Sequence, residues 1–144
     1  MAERVRSWGA PIPSRPARKK GPPRHHALVV DREEAICQLI RDALEDIGVE
    51  VTCAASATAA RALLRRRRRV HLAFIAVILP DEAGETLAAE LAARAIPVVL
   101  ISGHPEGIRR GAASGFPFLR KPFRPKDVLR LTLDNIAAGI DLPR

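Results

Sequence analysis

LAFIAVILPDEAG, residues 72–84, decides how the chain is read. Leu72 to Leu79 is apolar without a break, as in a strand covered on both faces, because such a strand has no solvent side for polar residues to occupy. Pro80 stops it, and beyond Gly84 the stretch Thr86 to Arg94 reads as a helix. Working outward, Ala27 to Val30 is another apolar run, ending in Asp31. Val98 to Ile101 is a third, ending in Ser102, and Phe116 to Leu119 a fourth, leading to Lys121 before Pro122. Val49 to Ala54 adds a β-rich segment.

Between these runs the period changes. Ile36, Leu39, Ile40, Ala43, Leu44 and Ile47 fall at helical spacings, with Gly48 as a C-terminal stop. Ser56 to Arg68 carries the stripe Ala59, Ala60, Leu63 and Leu64. A glycine-interrupted helix is expected around Ile108 to Ala113, stunted or mobile because Gly103, Gly107, Gly111 and Gly115 break it up. Pro125 opens a last helix through Ile136, in the first turn where its missing N–H costs nothing. Five strands alternating with five helices predict an α/β domain, a five-stranded parallel sheet doubly wound with helices on both faces. In such a sheet the functional crevice lies outside the carboxyl ends of the strands. Those ends bring Asp31, Arg32 and Glu33 from the first strand, Ala76 from the third, Ser102 from the fourth and Lys121 from the fifth.

Composition sets the bounds. With 144 residues and 47% hydrophobic content the chain suffices for one core. The longest apolar run, Leu72 to Pro80, is only nine residues, well short of a membrane span, and with no leader legible the expected location is cytoplasmic. The net charge is +8, but residues 1–25 hold seven basic residues against Glu3 alone, a net of +6, leaving 17 basic and 15 acidic residues in the other 119. The first 25 residues therefore read as a basic, proline-rich, mobile tail, residues 26–140 as the folded body and residues 141–144 as its end. Cys37 and Cys53 lack CxxC spacing and a nearby histidine pair, so no metal site is indicated and both are expected as free thiols.

The body resembles the receiver domain of two-component response regulators. The resemblance is carried by the opening VVDRE, by FIAVILPDEAG (Phe74 to Gly84), by ISG (Ile101 to Gly103) and by LRKPF (Leu119 to Phe123). It implies the flavodoxin-like (βα)5 fold with strand order 2-1-3-4-5 and a cis bond between Lys121 and Pro122. It also implies a site in which paired acids after strand one bind Mg²⁺, an aspartate ending strand three accepts a phosphoryl group, and a hydroxyl and a lysine contact that group. Matching Leu79, Pro80 and Gly84 to the family puts the acceptor position at Ala76 and the second metal-binding acid at Arg32. A methyl group cannot attack phosphorus, and a guanidinium repels Mg²⁺.

The expected outcome is a degenerate pocket of Asp31, Arg32, Ala76, Ser102 and Lys121, with no catalytic residue, no cofactor and weak or absent Mg²⁺ binding. Asp31 has two readings, as a helix cap or as a pocket acid. Arg32 either faces solvent or replaces the metal and pairs with Asp31. Ser102 reads as a strand-end hydroxyl bonding a loop amide, and Lys121 needs a new partner, for which Asp31 is nearest by topology.

Function then reads as a signalling module, not an enzyme, acting through protein contacts: a histidine kinase, another receiver or an output protein, with a homodimer left open. The resemblance places a partner face at Phe118, with Phe116 and Phe123 beside it, although strand aromatics also serve as packing. The alternatives are phosphorylation at a displaced carboxylate, Asp81 or Asp31, or nucleic-acid binding through the basic tail and Arg65 to Arg69, a run that also suits a solvated helix end.

Overall fold

A computed structural model describes residues 25–66 and 69–136. The basic tail before residue 25, Arg67 and Arg68 of the arginine run, and the 141–144 end lie outside the described residues. Strands β1 (His25–Val30), β2 (Val49–Ala54), β3 (Leu72–Ala76), β4 (Val98–Ser102) and β5 (Phe118–Arg120) alternate with helices α1 (Glu34–Glu45), α2 (Ala57–Arg66), α3 (Gly84–Ala93), α4 (Pro105–Ala113) and α5 (Pro125–Ile136). All pairings are parallel and the order is β2-β1-β3-β4-β5, the predicted doubly wound sheet.

The core sits where the periodicities placed it. Every residue of β3 and β4 is buried, with Phe74, Leu72, Ile75, Leu100 and Ile101 fully enclosed. Helix α1 closes one face with Cys37, Ile40, Ala43 and Leu44, and Gly48, at φ +83°, takes the left-handed turn after it that a side chain would resist.

Four local expectations need correction. The strand read from Leu72 to Leu79 ends at Ala76, because the chain turns there to form the bridge between Ile78 and Ala83. The last strand runs from Phe118 to Arg120 rather than from Phe116. The fourth helix is neither stunted nor interrupted: Pro105 opens it, His104 Nδ1 accepts the Glu106 N–H as its cap, and it runs nine residues. Its glycines allow close approach. A Cβ at Gly107 would lie 2.1 Å from Ser102 Oγ, and one at Gly111 2.4 Å from the Phe118 ring. Finally, Cys37 and Cys53 are joined as a disulfide, not left as free thiols, because the packing of α1 on β2 brings together two residues that sequence spacing gave no reason to pair.

Candidate functional site

The sheet's carboxyl edge gathers the charged groups. Asp31 continues the β1 ladder with its N–H to Ala54 O, and its carboxylate is almost fully buried. One oxygen, Oδ1, accepts the Glu33 N–H at 2.8 Å, which shapes the turn into α1, whose N-cap is Glu33 rather than Asp31. The other, Oδ2, faces Lys121 Nζ at 2.9 Å. The two atoms are close enough for an ion pair but not aligned for a hydrogen bond, and Oδ2 has no other donor among the described residues.

Lys121 reaches this point because β5 lies beside β4 at the sheet edge, its N–H donating to Ser102 O after the strand, and because Gly103 leaves room for its stem. Its ammonium also donates to Glu33 Oε1. Burial works against the charged ammonium, but the contacts with Glu33 and Asp31 outweigh it and hold the Lys121 pKa above the ordinary lysine value. The Lys121–Pro122 bond is cis. Glu33 was visible as an acid at the strand end, yet nothing in its spacing showed that it would share the lysine.

The β3 side holds no charge. Ala76 ends the strand with a buried methyl, and its carbonyl lies so close to Gly84 that a Cβ there would stand 1.9 Å from the oxygen. Ser102 Oγ accepts the His104 N–H at 3.1 Å beneath Gly107 of α4. Arg32 is exposed and forms no ion pair among the described residues, which agrees with the solvent-facing one of its two readings and not with pairing to Asp31. Its side chain leaves the turn on the solvent side, and Lys121 supplies the cation instead.

Other acids follow Ala76 in sequence but are engaged elsewhere. Asp81 accepts the N–H groups of Thr58 and Ala57 and the Thr58 hydroxyl at 2.8–3.0 Å, capping α2 from the neighbouring loop. Those bonds, led by the one from the Thr58 N–H, hold its carboxyl down at about 2. Glu82 is paired with Arg61 of α2, which also grips Glu90 of α3. Glu85 takes a two-pronged contact from Arg110 at 2.6–2.8 Å, tying α3 to α4, and this keeps its pKa below the ordinary glutamate value.

Of the three aromatics expected at a partner face, two are partly exposed. Phe116 and Phe118 are half-buried at the β5 edge, whereas Phe123 is a core residue and unavailable to a partner.

The model of the response regulator receiver domain matches residues 27–132. The chain belongs to that family. Among curated proteins it is similar to Protein PetR of Rhodobacter capsulatus, 34% identical over 111 residues, covering 72% of this chain and 45% of that protein. It is also similar to the response regulator protein TmoT of Ectopseudomonas mendocina, 30% identical over 106 residues, covering 70% and 48%. The chain thus spans about half the length of these relatives. Among solved structures, the signal receiver domain of an HD domain-containing protein from Pseudomonas fluorescens Pf-5 superposes with a TM-score of 0.70 at 28% identity, covering 79% of this chain and 95% of that one. A receiver fold of two-component signalling is therefore the frame in which Ala76 stands at the end of β3. Among the described residues no helix is long and apolar enough to cross a membrane.

The resemblance implies Mg²⁺ held by acids after the first strand. That ion requires near-octahedral oxygen ligands, and the two carboxylates at the strand end, Asp31 and Glu33, already share the Lys121 ammonium. Among the described residues no three His, Cys, Asp or Glu side chains form a metal-binding group.

Proposed function

We propose that this receiver is a pseudo-receiver, a signalling module that works by protein contact without taking a phosphoryl group at the usual position and without Mg²⁺. One observation carries the reading: Lys121 Nζ is held by Asp31 and Glu33 while the acceptor position presents only the Ala76 methyl. The Lys121 ammonium is already compensated by two carboxylates, so it needs no phosphate to satisfy it, and both carboxylates are engaged before any metal arrives. Its partners are proteins of the same signalling class, a histidine kinase, another receiver or an output protein, met in part through the β5 edge with Phe116 and Phe118.

Incubation with acetyl phosphate and Mg²⁺ followed by intact-mass measurement tests this. No phosphoryl mass is expected on the wild-type chain. A stoichiometric gain overturns the proposal, and its loss on Asp81→Asn would assign it to the displaced carboxylate. Ala76→Asp alone should gain phosphate slowly, since position 32 still offers no acid to a metal. Ala76→Asp with Arg32→Asp should gain it at least about tenfold faster, because Mg²⁺ then has a ligand set and can offset charge building on the transferred group. The nucleic-acid alternative rests on charge alone, and DNA binding whose affinity falls steeply with salt and persists at physiological ionic strength would favour it.

A further inference from the structure

The packing of α1 on β2 holds a second chemical group that the signalling site does not use. Cys37 on α1 and Cys53 on β2 lie 6.2 Å apart at Cα, within the range a disulfide spans, and are 16 positions apart in sequence. Both are buried. One turn along α1 lies Arg41, itself buried, with Nη2 3.3 Å from Val51 O and 3.8 Å from Cys53 Sγ, and Nε 3.8 Å from Glu45 Oε2. A guanidinium is a costly group to enclose, and here it stands against a carbonyl, a glutamate and a sulfur. Beside a disulfide that sulfur is neutral. After reduction the same cation stabilises a thiolate, so both oxidation states find a partner.

We propose that Cys37 and Cys53 are a reversible dithiol–disulfide site whose oxidised form fastens α1 to β2. Reduction by a thiol such as glutathione balances as follows. A glutathione thiolate attacks Cys37 Sγ, the Cys37–Cys53 bond breaks, and Cys53 leaves as a thiolate facing Arg41. A second glutathione thiolate attacks the glutathione sulfur of the mixed disulfide and releases Cys37. The protein gains two electrons and the protons its thiols take up, and two glutathiones become one glutathione disulfide. Because both sulfurs are buried, exchange proceeds through transient opening of α1. The Cys37 N–H donates to Glu33 O, one turn from the carboxylate that shares Lys121, so the clamp lies next to the charged end of the pocket. This inference does not depend on whether the receiver can be phosphorylated.

The test equilibrates the full chain in glutathione buffers from fully reduced to fully oxidised, quenches with acid, labels the denatured protein with N-ethylmaleimide and reads intact mass. A single transition is expected between a doubly labelled and an unlabelled form, with the singly labelled form never dominant. Cys37→Ser abolishes the unlabelled disulfide form. Amide exchange over residues 34–45 is expected to slow about tenfold or more on oxidation. Arg41→Met moves the midpoint severalfold toward the reducing side, since the reduced state loses its thiolate partner. Two labels at every ratio would show packed thiols and overturn the proposal, as would no label at any ratio, which would show a permanent clamp. An unchanged midpoint in folded Arg41→Met overturns the role given to Arg41. Should that variant fail to fold, the wild-type titration alone still decides.

Discussion

Strand ends along one edge of the sheet in this receiver differ in charge. At β1 and β5, Asp31, Glu33 and Lys121 meet, and at β3, one strand from β1 and two from β5, there is a methyl. The β3 loop is not short of acids, since Asp81, Glu82 and Glu85 all follow Ala76 within nine residues. Each is drawn outward by donors on α2 or α4: the first turn of α2 for Asp81, Arg61 for Glu82 and Arg110 for Glu85. The difference teaches that a carboxylate near a site is not a carboxylate in it. What decides is which donors reach it first.

Four experiments sharpen or break this contrast, in falling order of effect. The largest is Lys121→Met, which leaves Asp31 Oδ2 buried without a counter-charge. It should cost about 2–3 kcal/mol in chemical denaturation, below the range for a fully enclosed pair because the lysine side chain keeps 19% of its exposure. Adding Asp31→Asn should recover much of that loss, and strict additivity would mean the two groups are not coupled.

Next comes Gly107→Ala, beside the β4 end. Its Cβ would overlap Ser102 Oγ, and the helix propensity gained by alanine does not offset the displacement of a hydroxyl that holds the His104 N–H. A net loss of about 1 kcal/mol is expected, and a stabilised variant would show that α4 is not seated on Ser102 as closely as described.

Asp81→Ala should lower the thermal midpoint by a few degrees by uncapping α2, without changing behaviour toward acetyl phosphate. Because the folded-state pKa lies below the ordinary aspartate value, this contribution is complete above about pH 3.8 and fades as pH falls toward 2. If Asp81→Ala is as stable as wild type at pH 6, the loop acid is not committed to α2.

The smallest effect lies at the far end of the sheet. His71 Nδ1 accepts the His26 N–H at 3.0 Å, and burial, then His25 and Arg69, hold its pKa below 6.5. Folding therefore favours the neutral ring. Its contribution is complete above pH 6.5 and declines as pH falls from there through the folded-state pKa. His71→Gln should flatten that segment of the stability curve, and an equally steep decline in the variant would place the titrating group elsewhere.

Much of this is legible in the amino-acid sequence alone. Buried parallel strands need apolar residues on both faces, and helices between them need one apolar stripe, so Leu72 to Ala76 and the Ile36 to Ile47 pattern announced the doubly wound sheet from local chemistry. The methyl at position 76 was equally plain, because a missing nucleophile is a property of one residue.

What tertiary structure alone decided was pairing. That Lys121 would hold Glu33 as well as Asp31, that Arg32 would turn to solvent, that Asp81 would cap α2, and that Cys37 would join Cys53 all depend on side chains far apart in sequence meeting across strand ends and helix faces. The glycines of α4 make the same point. As composition they argued for a broken helix, and only the proximity of Ser102 and Phe118 showed that a side chain at Gly107 or Gly111 has no room. Periodicity reports which face of an element is buried. It carries no information on which charged or sulfur-bearing group will be waiting on the other side.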